Sequence, residues 1–88
     1  MLERDITISN KLGLHARASA KLVQLLQAFK CNAFLVYRGR EINAKSIMGV
    51  MMLAAEHGSS ITFRADGDDA DQALDALATL VGNKFGES

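Results

Sequence analysis

The apolar residues of this chain change their spacing several times, and that alternation limits the folds that the chain can adopt. In residues 2–9, Ile6 and Ile8 alternate with polar residues, a period of two that predicts a half-buried strand. From Ala16 the spacing becomes helical and predicts an amphipathic helix to about Phe29. The apolar positions of that helix are Ala18, Leu22, Leu25, Leu26 and Phe29.

Residues 32–44 predict a hairpin. Its first strand, NAFLVYR, is rich in aromatic and β-branched residues, and a glycine turn connects it to a short second strand, EINA. Alternation along the first strand of the hairpin assigns its core-facing residues, Ala33, Leu35 and Tyr37. Phe34 and Val36 then lie on the opposite face of the sheet, where the other residues are mostly polar.

Two helices and one strand account for the remainder. The segment KSIMGVMMLAAEHG predicts a second helix that Ser46 caps and Gly58 ends. Residues 60–65 alternate and predict the fourth strand. After it, Asp68 or Asp69 is expected to cap a third helix, whose apolar stripe consists of Ala70, Leu74, Leu77 and Val81.

The resulting order of elements is βαββαβα. An antiparallel sheet with helices packed on one face is the simplest arrangement of such elements, and it leaves the other sheet face to solvent. We therefore expect an α+β fold, an open-faced two-layer β-sandwich in which three helices cover one face of a four-stranded antiparallel sheet.

Length and charge restrict the classes of function. The chain has 88 residues, which suits one domain over residues 1–88. Ten basic and ten acidic residues give no net charge, which argues against nucleic acid or an anionic membrane as partner, because both attract basic surfaces. No segment resembles a signal peptide or a membrane span, so we expect a cytoplasmic protein without membrane insertion. Cys31 is the only cysteine, which excludes an internal disulfide.

A histidine stands where the first loop becomes the first helix. In NKLGLHARASAKL, residues 10–22, His15 directly precedes the helical pattern and Arg17 follows two positions later. A helix N-terminus favours a neutral, nucleophilic imidazole, and its unpaired N–H groups favour a phosphoryl group. Arg17 adds a planar fork of donors for phosphoryl oxygens. The pattern indicates a histidine that accepts a phosphoryl group, although a capping histidine beside a solvated arginine would look the same.

Two motifs together resemble a known family. GLHAR at residues 13–17 and KSIMGVM at residues 45–51 resemble the histidine-containing phosphocarrier protein (HPr) family of the bacterial phosphoenolpyruvate-dependent phosphotransferase system. The resemblance extends over the whole chain, in its length, in its order of elements and in the separation of the two motifs. One departure is Ala18, which stands where the family usually has a proline, a residue suited to the start of a helix.

The resemblance implies a role for each motif. His15 would carry the phosphoryl group on Nδ1, Arg17 would stabilise it, and Ser46 would be phosphorylated by a dedicated ATP-dependent HPr kinase/phosphorylase. Enzyme I would donate the phosphoryl group from phosphoenolpyruvate, and enzyme IIA-type domains would accept it. Such a monomeric carrier turns over only through its partners and needs no cofactor. A metal site is not expected, because His57 is the only other histidine.

The second helix is apolar nearly all round, which predicts a docking surface beside His15. A helix in a two-layer domain cannot bury every side, and with Val50 and Leu53 facing the core, its other apolar residues would be exposed. The residues expected to contact partners are Ala16, Ala20, Lys21, Lys45, Ile47, Met48 and Met51. The lysines would suit acidic partners; alternatively they form a solvated rim, and Ser46 is a simple helix cap.

Several alternatives stay open at this point. The chain could be a nitrogen-branch or purely regulatory phosphocarrier that is not coupled to sugar uptake. It could also be an allosteric binding module that uses the surface around Ile47 and Met48 without phosphoryl chemistry. A small RNA-binding domain is disfavoured by the zero net charge and by the lack of a basic, aromatic strand. The KSIMGVM motif resembles the kinase-regulated branch of the family.

Overall fold

The computed structural model describes residues 1–87 and has the predicted βαββαβα order. Its strands are β1 (Leu2–Thr7), β2 (Asn32–Tyr37), β3 (Arg40–Asn43) and β4 (Ser60–Asp66), and its helices are α1 (Ala16–Gln27), α2 (Ile47–Leu53) and α3 (Ala70–Gly82). A short 3-10 helix, Lys84–Gly86, follows α3 and is absent from the sequence-based prediction.

The four strands form one antiparallel sheet in the order β1-β4-β2-β3. Residues that pair across it, such as Ile6 with Ile61 and Leu35 with Phe63, are buried. Helix α3 packs on β1 and β4, and α1 contacts both α2 and α3. The predicted α+β two-layer sandwich is therefore confirmed.

The two faces of β2 are assigned as predicted. Leu35 is buried, whereas its neighbours Phe34 and Val36 are half-buried on the other face of the sheet. Phe34 lies opposite Arg64 there. The Arg64 guanidinium forms ion pairs with carboxylates of β1 and β3, at 2.9 and 3.2 Å. The apolar pair is thus surrounded by charged groups, and the core lies on the helix side of the sheet.

Helix α2 is shorter than predicted, and the expected stop at Gly58 is wrong. Directly after the last helical residue, Ala54 adopts the left-handed conformation with φ of 52°. The chain turns there because the next residue binds the loop before α1. The Ala55 carbonyl accepts the Leu14 N–H at 2.9 Å. A helix continuing through Ala55 would turn this carbonyl along the helix axis and remove the bond.

Asp69 occupies the N-cap position of α3, as predicted, but its carboxylate makes no capping hydrogen bond to that helix. The carboxylate instead accepts the backbone N–H groups of Lys30 at 2.7 Å and of Cys31 at 2.9 Å. These hydrogen bonds, chiefly the one from Lys30, lower the pKa of Asp69. Burial raises the pKa of the Cys31 thiol. Asp69 thereby joins the start of α3 to the start of β2.

The 3-10 helix after α3 buries an aromatic ring that the sequence patterns do not predict. Phe85 is fully buried, although it and Lys84 both have left-handed backbones, with φ of 56° and 55°. Each such conformation costs roughly 1–2 kcal/mol, and burying a phenylalanine contributes about 1.5–3 kcal/mol. The Phe85 carbonyl also accepts a hydrogen bond from Lys21 Nζ at 2.5 Å. The turn is therefore fixed against α1.

Replacing Gly13 should destabilise the fold. Its φ is +66°, and an alanine Cβ there would lie 2.3 Å from the Ala55 carbonyl oxygen, so strain and overlap both oppose Gly13→Ala. We expect the free energy of unfolding in urea to fall by about 2 kcal/mol or more. Gly82→Ala is the matched control, because no neighbouring atom lies within 4 Å of the added methyl group. Equal stability of the two variants would contradict the close approach.

Candidate functional site

His15 is the residue before α1, and its backbone is still extended, with φ of −72° and ψ of 179°. Its carbonyl accepts the Ser19 N–H at 2.9 Å, which closes the first helical turn. Its Nδ1 atom accepts the Arg17 N–H at 3.3 Å, in the manner in which a serine or aspartate oxygen usually caps a helix. The helix N-terminus therefore orients the side of the ring that bears Nδ1.

The other ring nitrogen contacts a carboxylate. Nε2 of His15 hydrogen-bonds Oε2 of Glu87, a residue 72 positions away in the chain. Because a carboxylate accepts hydrogen bonds and cannot donate them, Nε2 carries the hydrogen. The contacts on the two sides of the ring therefore select the tautomer that has its lone pair on Nδ1. The Arg17 N–H meets that lone pair at 3.3 Å, a long hydrogen bond that an incoming electrophile can displace.

Glu87 is held through its other oxygen by Asn10. The Nδ2 group of Asn10 donates to Oε1 of Glu87 at 3.0 Å and to the Gly13 carbonyl at 2.8 Å. The hydrogen bond from Asn10 and then that from His15 lower the pKa of Glu87. Glu87 is therefore an anion at neutral pH, and both of its oxygens are engaged.

The loop that carries His15 is tied down on both sides. Leu14 is buried and donates its N–H to the Ala55 carbonyl at 2.9 Å. Its own carbonyl accepts the buried Ser19 hydroxyl at 3.1 Å. The imidazole is thus presented from a fixed backbone, with 27% of its side chain exposed.

One open depression brings together four of the predicted site residues, His15, Ala16, Arg17 and Lys21. Glu87 and Leu12 also line this depression. Arg17 is exposed, whereas Lys21 is half-buried and hydrogen-bonded to the Phe85 carbonyl. Lys11 lines the depression as well, so the imidazole shares it with three cationic side chains.

A second depression connects His15 with α2, where Met51 and Ala54 line it together with Leu12. Val50 and Leu53 are buried, as predicted. The apolar side chains that α2 exposes are Ile47 (43%), Met48 (67%), Met51 (38%) and Met52 (64%). The apolar surface of α2 therefore continues to the imidazole.

The remaining predicted residues lie around this surface. Ser46 is exposed and caps α2, since its Oγ accepts the Gly49 N–H at 3.2 Å. Lys45 Nζ donates to the Phe29 carbonyl at 2.7 Å and so joins the start of α2 to the end of α1. Ala20 is half-buried on α1.

The residues at the site that were not predicted include Asn10, Lys11, Leu12 and Glu87. The turn NKLG carries a signal for the first of them, because asparagine is common in turns. The sequence gives no signal for Glu87, because it lies 72 positions from His15 and local patterns do not report such a contact. Ala18 is buried in the first turn of α1, which shows that alanine allows the helix to form at the position where the family usually has proline.

No helix within residues 1–87 is long and apolar enough to cross a membrane. Over the same range, no three or more His, Cys, Asp or Glu side chains are grouped in a way that could hold a metal ion.

The lowered pKa of Glu87 gives the fold a pH dependence. The Glu87 carboxylate stabilises the folded chain above the ordinary glutamate pKa of about 4.3, and this stabilisation is lost as the pH falls through the lowered value. We expect the Glu87 carboxyl signal in carbon-13 NMR to titrate with a midpoint below that of a glutamate in an unfolded peptide. A midpoint at or above the peptide value would contradict the two hydrogen bonds on this carboxylate.

Comparison with known proteins agrees with these features. Residues 2–83 match the family model described as the PTS HPr component phosphorylation site. The phosphocarrier protein HPr of Cupriavidus necator is 59% identical over 87 residues, which cover 99% of this chain and 98% of that protein. The phosphocarrier protein NPr of Shewanella violacea is 46% identical over 87 residues, which cover 99% of this chain and 96% of that protein.

A solved structure gives the same result. The crystal structure of HPr-C-His from Thermoanaerobacter tengcongensis superposes with a TM-score of 0.96 at 42% identity, covering 100% of this chain and 99% of that one. Both the sequence and the fold therefore match over nearly the full length. This chain belongs to the HPr family, the phosphocarriers of the phosphotransferase system.

Proposed function

We propose that His15 accepts a phosphoryl group from phosphorylated enzyme I and passes it to a histidine of an enzyme IIA-type domain. The observation that carries the proposal is the pair of contacts on the imidazole, Arg17 N–H at Nδ1 and Glu87 at Nε2. They leave a lone pair at a helix N-terminus, where backbone N–H groups favour phosphoryl oxygens. Membership of the HPr family supports the same role.

The transfer needs no proton to move. The Nδ1 lone pair forms a bond to phosphorus while the bond from phosphorus to the donor's nitrogen breaks, and the donor nitrogen keeps that electron pair. Positive charge develops on the ring of His15, and the Glu87 carboxylate at Nε2 stabilises it. Arg17 binds the phosphoryl oxygens with its planar guanidinium. In the second step His15 is the leaving group, and the same contacts act in reverse.

Partners dock on a surface that surrounds His15 and continues over α2. This docking surface consists of Leu12, Ala16, Ala20, Ile47, Met48, Met51 and Met52, with Lys21 and Lys45 at its rim. Support for it comes from the exposed apolar side chains beside the imidazole. Both lysine ammonium groups are hydrogen-bonded to backbone carbonyls, so their charges are fixed in place and suit an acidic partner.

The monomer is the active form in this proposal. Every contact that orients the imidazole comes from the same chain, from Arg17 on one side and from Glu87 and Asn10 on the other. In this proposal the carrier works without a second copy and without a cofactor of its own.

Ser46 is the regulatory position in this proposal, phosphorylated by an HPr kinase/phosphorylase. Its hydroxyl is exposed at the start of α2, next to Ile47 and Met48 of the docking surface. An anion is tolerated at a helix start. The same charge would have to lose water when an apolar partner closes over it, which weakens docking.

The nitrogen branch is the second candidate function. The match to the NPr of Shewanella violacea at 46% identity supports it. The chemistry at His15 is the same in both candidates, and they differ in the acceptor. Comparing the rates at which phosphorylated protein transfers to sugar-specific and to nitrogen-related IIA domains distinguishes them.

Replacing His15 should abolish phosphoryl uptake without unfolding the chain, because a partly exposed residue at a helix start contributes little to the core. His15→Ala, mixed with enzyme I, magnesium and phosphoenolpyruvate, should gain no phosphoryl group by intact mass. His57→Ala is the matched control, since His57 is exposed and lies in the loop between α2 and β4. It should gain one phosphoryl group that brief acid treatment removes. Acid-labile phosphate on His15→Ala would overturn the assignment.

Substitutions of Ser46 should separate its capping role from its regulatory role. Ser46→Ala removes the cap and should lower the free energy of unfolding by about 1 kcal/mol. Ser46→Asp keeps a capping oxygen and adds one charge, so its melting temperature should equal or exceed that of the unmodified chain. It should also slow phosphorylation of His15 by enzyme I, chiefly through weaker association. Unchanged phosphorylation kinetics for Ser46→Asp would leave Ser46 as a cap without a regulatory effect on this step.

A further inference from the structure

We propose that Asn10 is a positioning residue for phosphoryl transfer, which sets the imidazole tautomer of His15 by holding the Glu87 carboxylate against Nε2. This inference deepens the proposed function and rests on it for its catalytic consequence. Asn10 does not reach the reacting nitrogen itself. Its effect passes through Glu87.

Burial makes Asn10 an unusual residue in its turn. Its side chain amide is shielded inside the loop between β1 and α1, and the residue is 1% exposed. Both hydrogens of its Nδ2 group are used, one on the Gly13 carbonyl and one on Glu87. Stabilising the turn requires the bond to Gly13, whereas the second bond connects the turn to a residue 77 positions away.

Only one orientation of the Asn10 amide allows hydrogen bonds to both Gly13 and Glu87. Both partners are acceptors, so turning the amide over would place its oxygen against two other oxygens. In the observed orientation Oδ1 is buried and, among the residues described, finds no hydrogen-bond partner. A buried acceptor without a partner costs about 1–3 kcal/mol. In this orientation Asn10 donates to Glu87 while its own Oδ1 accepts no hydrogen bond from the described residues.

Apart from the imidazole that it orients, Glu87 has one side-chain hydrogen-bond partner among the described residues, Asn10. Glu87 lies just beyond the 3-10 helix, where its backbone N–H donates to the Lys84 carbonyl at 2.9 Å. A glutamate side chain that becomes ordered loses up to about 2 kcal/mol of rotamer entropy. With Oε1 held by Asn10, Oε2 is already directed at the imidazole. The hydrogen bond from Asn10 is also the first cause of the lowered pKa of Glu87.

Loss of Asn10 should therefore change the imidazole before any partner binds. In Asn10→Ala, the fraction of His15 that carries its hydrogen on Nδ1 should rise, because the acceptor at Nε2 is no longer held and only the long contact from the Arg17 N–H still favours a lone pair on Nδ1. Nitrogen-15 chemical shifts of the ring report this directly in the full-length, unphosphorylated chain. His57 gives a second imidazole in the same spectrum, and its shifts should not change.

The kinetic consequence should appear in kcat and not in KM. Asn10 is buried and cannot touch a partner, so docking of enzyme I should be unaffected. We expect Asn10→Ala to lower kcat for phosphorylation by enzyme I about tenfold. In a Glu87→Ala background the same substitution should have no further effect on kcat, because the carboxylate through which Asn10 acts is absent.

Ser9→Ala is the matched control for loss of a hydrogen bond. Ser9 is next in the chain, is half-buried, and donates its hydroxyl to the Val81 carbonyl at 2.9 Å without contacting Glu87. Its removal should lower stability and leave the tautomer and kcat unchanged. Asn10→Ser serves if Asn10→Ala unfolds, since a serine hydroxyl has a single hydrogen to donate and cannot serve both Gly13 and Glu87.

Unaltered ring shifts and kcat in both Asn10 variants would overturn the inference and leave Asn10 as a structural residue of the turn. This outcome is distinct from failure of the proposed function. A chain that takes up no phosphoryl group from enzyme I would overturn the function, whereas the ring shifts of the unphosphorylated protein still decide whether Asn10 controls the tautomer.

Discussion

The backbone hydrogen bond from Leu14 to Ala55 brings together the two parts of the surface around His15. It joins the loop before α1 to the chain that leaves α2. The Gly13 backbone lies so close to the Ala55 carbonyl that any side chain at position 13 would overlap with it. The hydrogen bond also requires Ala54 to adopt a left-handed backbone, which ends α2. His15 and Met51 consequently border one depression. In the proposed function, the reacting nitrogen and the surface that partners recognise therefore lie side by side.

The opposite side of the imidazole depends on the chain beyond α3. Burial of Phe85 offsets the strain of two consecutive left-handed residues and places Glu87 beside Nε2. A relay must both accept and release its phosphoryl group, so a site that moves no proton suits it. A carboxylate on Nε2 and backbone N–H groups on the other side of the ring stabilise charge without entering into bond making or breaking. In the proposed function, this geometry therefore suits transfer in both directions.

Much of the fold could be predicted because its signals are local. The period of two in β1 and β4 and the helical period of α1 and α3 each follow from residues adjacent in the chain, and the buried positions agree. The end of α2 could not be predicted, because the Ala55 carbonyl accepts a hydrogen bond from Leu14, which is far away in sequence. The contact between Glu87 and His15 could not be predicted either, because these residues are also far apart in sequence. The sequence predicts a role for His15 because a helix start and a nucleophile coincide in one short motif, whereas the groups that hold its ring meet only in the folded chain.

The bond between phosphorus and nitrogen tests the account most directly. The chain can be labelled with nitrogen-15 in its histidine rings, phosphorylated with enzyme I and phosphoenolpyruvate, and examined for phosphorus–nitrogen coupling by NMR. The contacts on the ring predict coupling of phosphorus to Nδ1 of His15, with the hydrogen retained on Nε2. Coupling to Nε2 of His15, or to either nitrogen of His57, would contradict the tautomer and the role of Glu87 in selecting it.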